Sequence, residues 1–191
     1  MKQYTPTLLE TAVNIANKAH SGQTRKGSEI AYIIHPMEAA AIASSILIQL
    51  DMYDENIVAA AVLHDTLEDT ELTVADLKEY CSQKTVDLVL VQSEDKSKSW
   101  KERKQHTIET LKNSTRDIDV LIVHLADKLS NMRSINRDVN IIGDELWDRF
   151  NQKMKSEQGW YYKSILENLE SLEDVEEYKE YKFLTEKVFG K

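Results

Sequence analysis

Apolar positions recur at intervals of three and four along most of the chain, and where that spacing is sustained it predicts helices. Over residues 5–19, Leu8, Leu9, Ala12, Val13, Ala16 and Ala19 share one helical face. Thr5 is placed as the N-cap and Pro6 as the first helical residue, where a missing amide costs nothing, and Ser21-Gly22 ends the run. Residues 23–34 lose the period and carry Arg25-Lys26-Gly27, so they read as a loop delivering Ile33-Ile34-His35-Pro36. Pro36 opens the next helix, which runs to about Leu50. Asp54 is placed to cap a helix holding Ile57, Val58, Ala59, Ala60, Ala61, Val62 and Leu63, apolar on nearly every side and so predicted to be buried all round. It ends at His64-Asp65.

Thr73 with Asp76 three residues on is a capping-box variant for a helix around Leu77. Residues 86–91 are apolar enough for a buried helix or strand. A charge-dense stretch follows at 94–104, with Lys96, Lys98, Lys101, Arg103 and Lys104 set against Glu94, Asp95 and Glu102, and reads as a solvated connection. Helical spacing resumes over 107–111 and over 119–135, the latter with Leu121, Ile122, Leu125, Leu129 and Met132 on its inner side. Residues 136–145 read as a loop, and 146–172 and 176–189 as amphipathic helix with an acidic patch at 167–180.

Composition narrows the fold class further. Five Gly and two Pro in 191 residues supply few of the turns that a many-stranded barrel or sandwich needs, which leaves an all-α bundle. The division expected is one helical domain over 5–170, with 171–191 a helical extension packed on it. A net charge of −9 opposes loose binding to nucleic acid or anionic lipid, so any polyanion must be held by a local basic pocket. The longest strongly apolar uncharged run, residues 39–50, is too short to span a bilayer. With a single cysteine, Cys81, an internal disulfide framework is ruled out and a cytoplasmic protein is expected.

Four potential metal ligands stand among apolar neighbours in predicted helices: His35, the adjacent pair His64-Asp65, and Asp127. Burying such groups unpaired costs about 1–3 kcal/mol or more each, a cost that a shared cation removes. Imidazole and carboxylate together suit Mn, Fe, Co or Zn. The competing reading gives each an ordinary hydrogen bond or ion pair. Glu68 follows His64 by four residues and Asp69 follows Asp65 by four, so a continuing helix turns both acids toward the same face. Asn131 and Ser134 extend a polar stripe from Asp127 at plus four and plus seven. There is no phosphate-binding glycine loop, which argues against an ATP-using kinase.

In order along the chain, Arg25-Lys26, Tyr32-Ile33-Ile34-His35-Pro36, His64-Asp65-Thr66-Leu67-Glu68-Asp69-Thr70 and Asp127-Lys128-Leu129-Ser130-Asn131-Met132-Arg133 resemble the motifs of the HD-domain metal-dependent phosphohydrolases. More narrowly, they are similar to those of the hydrolase domain of RelA/SpoT-type alarmone enzymes. The resemblance covers roughly residues 5–170 and implies a single all-α HD-domain bundle. It implies His35, His64, Asp65 and Asp127 as ligands of one Mn2+ ion, Glu68 and Asp69 as catalytic acids that prepare water, and Arg25, Lys26, Asn131 and Ser134 as substrate contacts. Ser134 falls where the family often has Thr and keeps a hydroxyl; Ala31 replaces the Pro common before the Tyr.

The activity implied is removal of the 3′-pyrophosphate from guanosine 3′,5′-bis(diphosphate), a small guanine nucleotide, to give GDP and pyrophosphate. An HD hydrolase of another nucleotide or 3′-phosphorylated cofactor, and a non-catalytic nucleotide sensor, stay open at this point. A dinuclear site needs further histidines between the HD pair and Asp127, and only His106 and His124 lie there, which favours a single ion. Tyr161 or Tyr162 is a further candidate nucleotide contact. About twenty residues follow Glu170, too few for a synthetase domain. Arg25 and Asn131, about a hundred residues apart, act together only if the loop before His35 folds over the polar stripe after Asp127.

Overall fold

The computed structural model describes residues 5–190. Helices α1 (Leu8–Ala19), α2 (Ile34–Gln49), α3 (Glu55–Leu63), α4 (Thr66–Asp69), α5 (Val74–Tyr80), α6 (Gln83–Gln92), α7 (Trp100–Asn113), α8 (Ile118–Ile142), α9 (Lys155–Glu167) and α10 (Glu176–Phe189) build it, with 3-10 segments at Gly143–Arg149 and Glu170–Leu172. Among the described residues no strand forms, and pairing is limited to one antiparallel bridge between Thr24 and Ala31. The fold is all-α.

Helix α8 is the axis. Val120 to Asp127 are buried without interruption, because α2, α3, α6 and α10 surround this part of the helix. An apolar surface on one stripe suffices for a helix with one neighbour; four neighbours demand it all round. Helix α3 meets the same demand with Ile57 and Ala59 to Leu63, whose small alanines let α1 and α2 approach closely. The C-terminal helix α10 lies against α8 and α9 through Tyr178, Tyr181, Leu184 and Val188.

Several expected boundaries move, each for a local reason. Helix α1 starts at Leu8, not Pro6: Thr7 accepts from the Glu10 amide and Glu10 reaches back to the Thr7 amide, a reciprocal box that Thr5, with Leu8 three residues on, cannot form. Helix α2 begins two residues before Pro36, which sits in the first turn, where its absent amide leaves no bond unmade. The ambiguous stretch 86–91 is helical, begun by the Ser82 cap. Residues 136–142 are not loop but the end of α8, since Val139 and Ile142 continue the inward period of Met132 and Ile135. Gly143, at φ +62°, stops the helix there. The helix expected over 146–172 is broken into 3-10 turns on either side of α9.

Candidate active site

The site is built against the middle of α8, where Asp127, Asn131 and Ser134 face the cleft. The loop between α1 and α2 folds back as a small hairpin: the Arg25 amide donates to Ile30 O, and the Tyr32 amide to Gln23 O. Its tip is the turn Arg25-Lys26-Gly27-Ser28, closed by the Ser28 amide on Arg25 O, with Gly27 at φ +68°. The positive φ at Gly27 favours glycine, and the absent Cβ leaves the room that the Arg149 side chain occupies. Gln23 donates to the Asp69 carbonyl at 2.9 Å, which pins this hairpin to α4.

Behind the hairpin, His35 on α2, His64 at the end of α3, Asp65 just after it and Asp127 on α8 converge. His64 Nε2 is 3.1 Å from His35 Nε2, 3.0 Å from Asp65 Oδ2 and 3.6 Å from Asp127 Oδ1. His35 Nε2 lies 3.5 Å from Asp65 Oδ2 and 3.3 Å from Asp127 Oδ1. His35, His64 and Asp127, all buried, each offer a ligand atom within 4.8 Å of the others, and Asp65 Oδ2 flanks both imidazoles. His64 Nδ1 donates to the Ala61 carbonyl at 2.8 Å, so in the neutral ring Nε2 presents a lone pair to the centre. Two imidazole nitrogens and two carboxylate oxygens so arranged repel one another unless a positive charge sits between them. The residues therefore fit a divalent cation, with an N2O2 donor set in the range of first-row metals.

The electrostatics point the same way. Burial by itself lowers the His64 pKa, yet the Asp65 and Asp127 carboxylates outweigh it and raise that pKa well above the ordinary histidine value. Burial likewise opposes ionisation of Asp65, but His64 and His35 hold its pKa well below the usual range. For Asp127 the opposing burial is overcome chiefly by Lys128, then His64 and His35. The pocket thus draws a proton to its own imidazole to balance its carboxylates, the role a cation fills better.

The remaining expected residues line the same cleft, a cavity of about 600 Å³. Arg25 Nη2 donates to Asn131 Oδ1 at 2.8 Å, and Asn131 Nδ2 donates to Asp127 Oδ1 at 2.6 Å. The hairpin does fold over the stripe that follows Asp127, and both ends of the Asn131 amide are engaged there. Lys26 and Ser134 also face the cavity, and desolvation, with Lys104, Arg25 and Arg103 nearby, lowers the Lys26 pKa against the pull of Asp69. Glu68 Oε2 accepts from the Glu94 amide at 3.3 Å, and its other oxygen is 3.6 Å from Arg103 Nη1. Burial, then Glu94, Asp65 and Asp69, raise the Glu68 pKa. Asp69 is tied to Lys96 Nζ at 2.6 Å. Tyr161 and Tyr162 both line the cleft.

The structure adds residues that the chain pattern did not single out. Tyr32 donates to Asp65 Oδ2 at 2.5 Å, and Lys128 caps Asp127 Oδ2 at 2.5 Å. The stretch 94–104 is solvated in large part, with 95–99, Lys101 and Glu102 exposed, but it is not only a connection. Its second half opens α7, and Lys96, Arg103 and Lys104 form one wall of the cleft, with Arg103 and Lys104 clamping the buried Glu94 at 3.0 and 2.7 Å. The signal was present: Arg103 and Lys104 precede the inward-facing Thr107 by one helical turn. Trp100 lines the cleft as well as packing against Trp160 and Tyr161, while Trp147 serves packing. His106 is exposed on α7. His124 is fully buried with no partner on either ring nitrogen among the described residues, and burial, helped by Lys128, pushes its pKa down to about 3. It is a neutral core residue.

The HD-domain family model matches residues 12–151, so the chain belongs to the HD-domain family. Within that family it is similar to the guanosine-3′,5′-bis(diphosphate) 3′-pyrophosphohydrolase MESH1 of Danio rerio, 36% identical over 134 residues, which are 70% of this chain and 71% of that protein. It is 37% identical over 125 residues to the guanosine-3′,5′-bis(diphosphate) 3′-pyrophosphohydrolase of Haemophilus influenzae, a longer protein of which it spans 18%. A solved structure described as a metazoan ortholog of SpoT that hydrolyzes ppGpp shares the fold, with a TM-score of 0.76, 24% identity and 97% of each chain covered. No helix among the described residues is long and apolar enough to cross a membrane.

Proposed function

We propose that the chain is a cytoplasmic, Mn2+-dependent hydrolase that removes the 3′-pyrophosphate from guanosine 3′,5′-bis(diphosphate). The observation that carries this reading is that one cleft joins three things: the cluster of His35, His64, Asp65 and Asp127, the half-buried Glu68 with its raised pKa, and a wall of cations flanking that acid. A pocket with only the first two suits any phosphate ester. The third suits a substrate with two diphosphates, and it resolves the conflict between an acidic chain and a polyanionic ligand.

His35, His64, Asp65 and Asp127 hold the metal. When bound, a divalent ion there polarises a phosphoryl oxygen and acidifies water. Glu68, whose pKa burial and the neighbouring Glu94 raise, takes the proton from water attacking the 3′ α-phosphorus. Asp69, anchored by Lys96, orients that water. Lys26, Lys96, Arg103 and Lys104 offset the charge of the diphosphates. Arg25 lies with Cζ 5.7 Å from the Tyr32 ring centroid and one nitrogen fixed by Asn131, which leaves its planar guanidinium as a platform for guanine, with Ser134 nearby for the sugar or its phosphates. The chain's one cysteine agrees with a reducing compartment.

The test is a substrate panel with Arg25→Ala. With guanosine 3′,5′-bis(diphosphate) the variant should show a KM raised by about tenfold, the scale of one desolvated cation–π contact of roughly 1–2 kcal/mol, and a kcat little changed. With a small phosphate ester, which has no base to stack, KM should hardly move. Equal losses on both substrates would make Arg25 bulk charge and remove the argument for guanine.

A further inference from the structure

Proton bookkeeping around His35 reaches two residues outside the cleft. His35 Nδ1 is 2.8 Å from Ser130 Oγ, and Ser130, 1% exposed on α8, donates its hydroxyl proton to Glu38 Oε2 at 2.7 Å. Glu38 is in turn held by Arg133 Nη1 on its other oxygen at 3.1 Å, and Arg133 grips Glu180 of α10 with Nε and Nη2 at 2.7 and 2.6 Å. A carboxylate beside a guanidinium only accepts, so the one proton of Ser130 is committed to Glu38. What Ser130 can offer His35 is a lone pair. His35 must then bring the proton on Nδ1, and its Nε2 lone pair faces Asp65, Asp127 and His64.

We infer that Ser130 and Glu38 are positioning residues that fix the tautomer of His35 and so prepare its Nε2 to bind metal. His64 obtains the same result from a backbone carbonyl, which no side-chain substitution can remove; His35 has no such carbonyl and depends on the relay. Without Glu38 the Ser130 hydroxyl is free to turn and donate to Nδ1, which moves the ring proton to Nε2 and points it at the metal centre. The arrangement matches the outer-shell hydrogen bonds that orient metal-bound histidines and that typically change metal affinity about 10–100-fold. This inference rests on the metal reading of the site given above.

Calorimetric titration of Mn2+ into the chelator-stripped full chain separates the two. Ser130→Ala and Glu38→Ala should raise the metal Kd by about 10–100-fold. Glu38→Gln, which keeps an acceptor oxygen for Ser130, should restore affinity to within about threefold of the wild type. Glu180→Gln, which weakens the same ion-pair chain without touching the serine proton, should leave Kd unchanged. If the wild type binds Mn2+ and Ser130→Ala binds it equally well, or if Glu38→Gln is as damaging as Glu38→Ala, the inference fails while the metal site stands. If the wild type binds no divalent ion, both fail. A second measurement needs no variant: two-bond 15N–1H correlation of the His35 ring in the metal-free wild type should show the proton on Nδ1. A bare Nδ1 with a protonated Nε2 overturns the relay.

Discussion

Glu68→Gln should lower turnover of guanosine 3′,5′-bis(diphosphate) by about 10²–10⁴-fold, the range expected when a general base is lost, with the fold and the metal affinity intact. The expectation follows from where Glu68 sits. It is close enough to Asp65 for that carboxylate to raise its pKa, yet its own hydrogen bond is accepted from the Glu94 amide rather than made with His35, His64 or Asp127. The amide of Gln can still accept that hydrogen bond and fills the same volume, so beyond the ability to take a proton the substitution removes only the partly exposed ion pair with Arg103 at 3.6 Å. Steady-state kcat, read beside Mn2+ titration and a melting curve, checks it. A variant that loses metal together with activity would make Glu68 a ligand rather than a base.

Stripping the metal should cost at least as much. A phosphoryl group approaching the carboxylates of Asp65 and Asp127 without a cation between them meets like charge in a buried pocket, and the Lewis-acid contribution, several kcal/mol, disappears with the ion. At about 1.4 kcal/mol per tenfold, turnover should fall by more than about 10³-fold on chelation and return when Mn2+ is added back. Asp127→Asn should reproduce the loss without the recovery. Asp127→Asn, like Asp127→Ala, removes the charge paired with the largely buried Lys128 ammonium and risks about 3–5 kcal/mol of stability, so a melting curve accompanies the kinetics. Activity that survives chelation at undiminished rate would contradict a metal-dependent reaction.

Much of the site could be read in the chain because its key residues are polar in places where helical periodicity demands apolar ones. His64 and Asp127 interrupt two of the most apolar helices, and no solvated role accommodates them there. The order of the motifs then did what spacing could not. The hairpin carrying Arg25 touches Asn131, but no period relates two segments a hundred residues apart, so their contact was only a condition for joint action until the fold was seen.

The cation wall was missed for the opposite reason. A helix face rich in Lys and Arg looks the same in sequence whether it faces water or an anion-binding cleft; only Thr107 and Leu111, buried on the same face, mark Arg103 and Lys104 as turned inward. The Glu38–Ser130 relay lay beyond reach altogether, since it joins two helices through one hydroxyl proton. Boundaries erred where a polar surface disguised continuing helix, as at 136–142, where Asn136, Arg137, Asp138 and Asn140 conceal the inward Val139 and Ile142.

The proposed chemistry is tested most directly by hydrolysis in water enriched in 18O, with the products weighed by mass spectrometry. Attack on the 3′ α-phosphorus breaks the bond between that phosphorus and the ribose 3′ oxygen. It predicts unlabelled GDP and pyrophosphate carrying one solvent oxygen, formed in equal amounts and only in the presence of the metal. Label in GDP, orthophosphate released from the outer phosphate, or no turnover with Mn2+ present would contradict it.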